Sequence, residues 1–367
     1  MKKRGFTLIE LLAVILILGI IALIAIPTVN KIIKESRKGA FESSINNLVG
    51  VIEDACQLQQ LKGETITTLY TFTNGEVSPN LNIKGKLPTS GAAIVDANCN
   101  VIISATNGTF TANKLTTGDN ATITEGGEAN SIHTVYANGT AIYFNPTTGT
   151  SCTSGEAVST TGTKTGCMKW YAFNDDGPFD DKINLILDHN TTAVVAWNST
   201  GSNVSGPTNV LTQLASDTSS WAGVPTRTDS YNFSNGTATY TINYNTYKAR
   251  LITSAEIATI TKNSTYNETT ATTANWFYFD SNNQTLTATT PGASNYEWLF
   301  DYTNGCTIYG CNIADASNFG YWTSIAVTGI GNQAWRVKCD GRLAFYDVNS
   351  AGNIGVRPVI TISKSNI

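Results

Sequence analysis

The sequence predicts an α+β protein: a long N-terminal α-helix packed on a small antiparallel β-sheet, then a larger mixed α+β domain. Three observations predict it. A predominantly apolar run from Phe6 to Ile26 holds a single charge and continues as an amphipathic pattern to Lys62. Short apolar or alternating segments follow, punctuated by Asn74-Gly75, Asn107-Gly108 and Asn138-Gly139. After a Thr-, Ser- and Gly-rich stretch from Pro146 to Lys164, strand patterns resume beside two helix patterns. The 367 residues leave room for two domains and a substantial core.

The first element is the most informative. A basic stub, Met1-Lys2-Lys3-Arg4-Gly5, leads into Phe6-Thr7-Leu8-Ile9-Glu10 and the apolar run Leu11 to Ile26. As an α-helix, the span from Phe6 to Ile26 covers about 30 Å, the hydrocarbon thickness of a bilayer. A carboxylate inside such a helix costs about 2.5–3.5 kcal/mol near the bilayer centre, so Glu10 calls for a partner. An ordinary signal peptide is cut after its hydrophobic stretch, whereas Gly5 stands before it. Cleavage after Gly5 would keep the helix and place a new α-amino group on Phe6, one helical turn from Glu10. An uncleaved anchor is the plainer alternative, yet an anchor has no need of a charge at that cost. Pro27 is expected to interrupt the hydrogen-bond ladder just past the span. The short stub is read as inside and the polar remainder as outside, although Lys31, Lys34, Arg37 and Lys38 follow the span on its far side.

The segment from Lys2 to Leu12 resembles the processing and methylation signal of type IV prepilins and pseudopilins. The resemblance implies cleavage between Gly5 and Phe6 by a prepilin peptidase and N-methylation of Phe6. It also implies that Glu10 neutralises the amine of an adjacent subunit as it enters a filament. Gly19 and Pro27 fall where such pilins place helix-weakening residues. The implied partners are other pilin subunits, the peptidase, a pilus assembly platform and the membrane. The implied location is a single-pass precursor in the bacterial inner or cytoplasmic membrane, then an extracellular pilus or cell surface.

Downstream, Val29, Ile32, Ile33, Ala40, Ile45, Leu48, Val49, Ile52, Ala55 and Cys56 recur at helical spacing among charged residues. This predicts a second, amphipathic half of one helix, stopped at Gly63 and packed on the protein's own sheet. Strands are expected at Leu81–Ile83, Ala92–Val95, Val101–Ser104 and Ala141–Phe144, with a hairpin connection at Asp96–Asn100. Gly108 to Glu128 reads as an exposed loop. Further strands are expected at Trp170–Phe173, Ile183–Leu187, Ala193–Trp197 and Thr237–Asn243. Helices are expected at Pro207–Ala215 and Thr253–Ile260, the latter with Thr253 and Glu256 at capping-box spacing. The expected division is a leader over 1–5, the helix over 6–62, a sheet domain over 63–150, a linker over 151–168 and a C-terminal domain over 169–367.

Charged residues make up only 14% of the chain, which suits a turn-rich extracellular β protein. A net charge of −4, with no basic face beyond the juxtamembrane cluster, gives no support for nucleic-acid binding. None of the seven cysteines forms a familiar zinc spacing. Outside the cell, Cys152 with Cys167 and Cys306 with Cys311 would close short loops, and Cys56 with Cys99 would tie helix to sheet. Cys339 is then left over. Buried reduced thiols are the competing reading, since connectivity cannot be deduced from sequence alone.

A second, looser resemblance covers about residues 169–367. Arg250 to Ile257, Asn295 to Asp301, Tyr321 to Ser324, Ala334 to Val337 and Gly355 to Val359 occur in the order seen in proteins similar to the formylglycine-generating enzyme, whose fold is related to C-type lectin-like domains. The enzyme's catalytic thiols have no convincing match, and the calcium-dependent Glu-Pro-Asn or Gln-Pro-Asp sugar motifs are absent. What the resemblance implies is a display scaffold, which by itself assigns no function.

Other candidates are weak. Asp175, Asp176, Asp180 and Asp181 could offer oxygen ligands to calcium, but without EF-hand spacing an exposed acidic turn is the better reading. His133 and His189 have no neighbouring ligand residues in sequence. No nucleophile elbow, His-Glu-x-x-His helix or phosphate loop occurs, so no cofactor and no enzymatic activity are expected. Tyr302, Tyr309, Tyr321 and Tyr346 are candidates for a ligand surface, while Trp298, Trp322 and Trp335 read as core. The sequence therefore predicts a type IV pilin-like filament subunit of minor or specialised kind, displaying a C-terminal recognition domain to a protein or glycan. The alternatives are a pseudopilin of a secretion or DNA-uptake apparatus and an uncleaved surface-anchored binding protein.

Overall fold

The computed structural model describes residues 8–81, 83, 85–160, 162–192, 194–234, 239–262, 266, 277–278, 294–299, 320–338, 342–350 and 354–367. The chain divides into two compact units, Met1–Ile132 and His133–Ile367.

In the first unit, α1 (Leu8–Lys62) is a single helix with Pro27 inside it. The expected interruption does not end the helix: proline removes one amide donor, and long helical segments on both sides carry the backbone through. The helix stops at Gly63, whose φ of +67° suits glycine. There Gly63 N–H donates to Gln60 O and Glu64 N–H to Gln59 O, satisfying the last carbonyls.

Six strands follow: β1 (Leu69–Thr73), β2 (Glu76–Ser78), β3 (Ser90–Val95), β4 (Val101–Thr106), β5 (Phe110–Lys114) and β6 (Thr122–Glu125). They form one antiparallel sheet in the order β2-β1-β3-β4-β5-β6. The helix buries Phe41, Ile45, Leu48, Ile52 and Cys56 against Tyr70, Phe72, Val101, Ile103 and Phe110. Helical spacing on one partner and alternation on the other thus meet in one core.

Two expectations fail here. Residues 108–128 are not a loop: they contain β5 and β6, anchored by Phe110 and Ile123 in the core, with Phe110 stacked on Phe41 at 6.4 Å. Leu81 and Ile83 are not in a strand but reach the core as partly buried side chains, and residue 82 lies outside the described residues.

The second unit begins before the expected boundary. β7 (Ala141–Asn145) pairs with β9 (Met168–Phe173), and β8 (Thr150–Ser151) pairs with β7. Together with β10 (Lys182–Leu187) and β17 (Val359–Ser363) they make a five-stranded sheet, β17-β10-β9-β7-β8. The expected linker over 151–168 is therefore structural. A Cys152–Cys167 disulfide closes it, Lys164 Nζ meets Asp217 at 2.6 Å, and Trp221 Nε1 donates to Lys164 O.

The remaining elements are α2 (Thr208–Asp217), α3 (Ser254–Ile260), the hairpin β11 (Ser230–Ser234) with β12 (Thr239–Asn243), and a sheet of β13 (Phe277–Tyr278), β14 (Gly320–Ala326), β15 (Gln333–Lys338) and β16 (Arg342–Asp347) in the order β13-β16-β15-β14. The strand expected at 193–197 is absent among the described residues 194–197, where buried contacts replace a ladder. Val195 N–H donates to Ile354 O and Trp197 Nε1 to Thr323 O. Trp170, Trp197, Trp221, Trp322 and Trp335 are fully buried and organise this unit's interior.

Candidate functional site

The first half of α1 is long and apolar enough to cross a membrane. Leu11, Leu16, Leu23 and Ile32 are each more than half exposed, whereas the side chains from Phe41 to Cys56 on the sheet-facing stripe are buried. One helix thus has a bare apolar half and a packed half. Glu10 lies exposed on the bare half, and a Cβ at Gly19 would meet nothing within 4 Å. Val29, Ile32 and Ile33, expected on the sheet-packing stripe, are instead exposed, because packing begins only at Phe41. Gly5 and Phe6 lie outside the described residues.

A long exposed apolar surface demands an apolar partner, a bilayer or other apolar helices. Residues 1–26 match the profile of the prokaryotic N-terminal methylation motif. The chain carries a prepilin signal. The match supports a type IV pilin-like subunit or a pseudopilin, and the prepilin signal adjoins a helix suited to anchoring a precursor in a membrane. No curated protein and no solved structure matches the chain.

Of the cysteines, Cys56 bonds Cys99 across 43 residues and Cys152 bonds Cys167 across 15. The first ties the end of α1 to the turn between β3 and β4. Cys306, Cys311 and Cys339 lie outside the described residues.

Of the candidate ligand-surface tyrosines, Tyr302 and Tyr309 also lie outside the described residues. Tyr321 is not a surface residue. It is fully buried, donates its hydroxyl to Leu299 O at 2.8 Å and lies 5.0 Å beneath the Arg357 guanidinium. Its place in β14, all of whose residues are buried, explains the difference. Tyr346 is 44% exposed, with Arg336 stacked 4.7 Å from its ring.

The acidic turn splits in two. Asp175 has a buried side chain that accepts from Lys364 Nζ at 2.7 Å and from Tyr136 N and Gly177 N, so its oxygens are engaged. Asp176, Asp180 and Asp181 line a surface cleft. Burial pushes the Asp176 carboxyl above its ordinary range, and the charges of Asp180 and Asp175 add to that. No group of three or more His, Cys, Asp or Glu placed to hold a metal occurs among the described residues. His189 is buried with Nε2 3.1 Å from Thr163 O, and His133 N–H donates to Pro178 O.

Sequence reasoning missed the interior charges. Arg357 is fully buried and donates from Nε to Leu187 O and from Nη2 to Trp298 O, joining β10 to the 3-10 turn Ser294–Leu299. An isolated arginine in the Gly355 to Val359 block gives no sign of whether it points inward.

Proposed function

We propose that this protein is a type IV pilin-like filament subunit of minor or specialised kind, whose C-terminal unit is displayed for recognition. The observation that carries the reading is the methylation motif joined without interruption to a helix that is apolar and uncovered in one half and packed on a sheet in the other. A prepilin peptidase would cut between Gly5 and Phe6 and methylate Phe6. The freed amine of one subunit would then pair with Glu10 of the next, which offsets the cost of a carboxylate among apolar helices. The partners are other pilins and the assembly platform, with the membrane holding the precursor. The second unit takes the role of a display scaffold, as its sequence resemblance implies, and carries no catalytic function.

Mass analysis of the chain recovered from sheared filaments tests this. The expected species begins at Phe6 and carries one methyl group. Filaments lacking the chain, or holding only copies that begin at Met1, would refute the reading.

A further inference from the structure

A cleft of about 520 Å³ opens on the second unit where β10 and β17 meet the segment 225–231. That volume lies within the roughly 300–1,000 Å³ of small-ligand sites. Its polar groups form one connected chain. Thr361 Oγ1 donates to Asn184 Oδ1 at 2.8 Å and accepts from Arg227 Nη1 at 3.1 Å. Arg227 Nη2 donates to Asp229 at 2.6 Å. Each planar group is therefore fixed before any ligand arrives, which lowers the entropic cost of binding.

Two features of this chain look toward a ligand. Arg227 lines the cleft and keeps one buried donor, Nε, without a hydrogen-bond partner among the described residues. Tyr231 is 37% exposed at the cleft, and its ring is held by Phe233, stacked at 6.2 Å, and Tyr244, edge-on at 5.9 Å. It offers a pre-set aromatic face beside interleaved donors and acceptors. Hydroxyl groups donate and accept at once, so a polyol satisfies such a lining where a purely anionic or purely apolar ligand would not. The apolar C–H face of a sugar ring suits the tyrosine.

Charge narrows the class. Asp176, Asp180, Asp181 and Asp229 outnumber Lys182 and Arg227, so an acidic sugar would meet repulsion. The geometry points to this cleft as a binding site, acting through its own side chains, for a neutral or amine-bearing sugar residue. The inference rests on the proposed display role and gives that role a location and a ligand class.

Saturation-transfer NMR and calorimetry on the full-length, detergent-solubilised protein test it, with methyl glucoside, methyl galactoside, methyl mannoside, glucosamine, glucuronate and an oligolysine peptide as probes. At least one neutral or amino sugar is expected to bind, with EDTA having no effect. Tyr231→Ala and Asp181→Asn should each weaken binding about tenfold or more in protein that still melts cooperatively, Asp181→Asn at the wild-type temperature. Using two variants keeps the test decisive if one misfolds. Binding by glucuronate or oligolysine alone, by no probe, or by sugars indifferent to both variants overturns the inference, as does loss of binding in EDTA. Filament incorporation of the same variants is scored separately. Normal incorporation without sugar binding defeats the cleft alone, and absence of the wild-type chain from filaments defeats the filament reading alone.

Discussion

Arg250 and Glu256 form a two-pronged ion pair at the start of α3, with Nη1 2.8 Å from Oε2 and Nη2 2.6 Å from Oε1. The same carboxylate accepts from Thr253 N–H, while Thr253 Oγ1 accepts from Glu256 N–H, so a capping box and an ion pair share one side chain. Arg250 is 5% exposed, and its backbone pairs with Val359 of β17. The helix start is thereby locked to the edge of the five-stranded sheet.

Glu256→Ala should therefore destabilise the second unit by about 3 kcal/mol, because it strands a buried guanidinium and removes a cap. Burial raises the Glu256 carboxyl, but Arg250 and Thr253 outweigh it and hold the group below its ordinary value of 4.5. With the folded value lowered, the stabilisation is complete above about pH 4.5 and is lost as pH falls through the folded value. Denaturant melts of wild type and Glu256→Ala should differ fully at pH 7 and converge in acid. A constant difference across that range would refute the pair's role.

The Cys56–Cys99 bond closes a longer loop than Cys152–Cys167. On chain-entropy grounds its loss should cost about 4 kcal/mol in the first unit, against about 3 kcal/mol for the shorter loop in the second. Melts of Cys56→Ala/Cys99→Ala and Cys152→Ala/Cys167→Ala variants, followed by probes in each unit, check the order. The first pair should also loosen the sheet-facing end of α1, read as faster amide exchange near Gln59 and Gln60.

Gly91 sits inside β3 with φ of +126°, and a Cβ there would lie 2.3 Å from Ser104 O and 2.6 Å from Ala105 Cα. Both obstacles are backbone of the neighbouring β4, which cannot swing aside. Gly91→Ala should cost at least about 2 kcal/mol through strain and ladder distortion. Gly19→Ala, at an open helical position, should leave the first unit's melting unchanged or improve it, so the pair of variants separates local geometry from glycine content.

How much of this was legible in the sequence depended on range. Thr253 and Glu256, Gly63 after Lys62, and Asn74-Gly75 between β1 and β2 are signals read within a few residues, and each marks the expected feature. The β5–β6 pair was hidden because Thr and Asn fill its outward positions, leaving Phe110, Ala112 and Ile123 as its inward anchors. The unit boundary was misplaced because β7 pairs with a strand more than twenty residues on, across a segment whose composition resembles a linker. Aromatic density in the last third identified a core but could not tell the buried Tyr321 from the exposed Tyr346, since β14 is covered on both faces by tertiary packing whereas β16 leaves Tyr346 at the surface.

The assembly chemistry turns on Glu10, which is exposed on the uncovered half of α1. Removing its charge lowers the insertion cost, so Glu10→Gln should enter membranes at least as well as wild type. The same change removes the anion that a neighbouring amine would seek, so incorporation into filaments should fall steeply while cleavage after Gly5 continues. Membrane fractionation, N-terminal mass and sheared-filament content, measured on one strain expressing the variant, separate the three steps. Glu10→Asp should recover part of the loss, because it keeps the charge and shortens the reach by one methylene. Undiminished incorporation of Glu10→Gln would show that apolar packing alone recruits the subunit, and the electrostatic pairing would have to be abandoned.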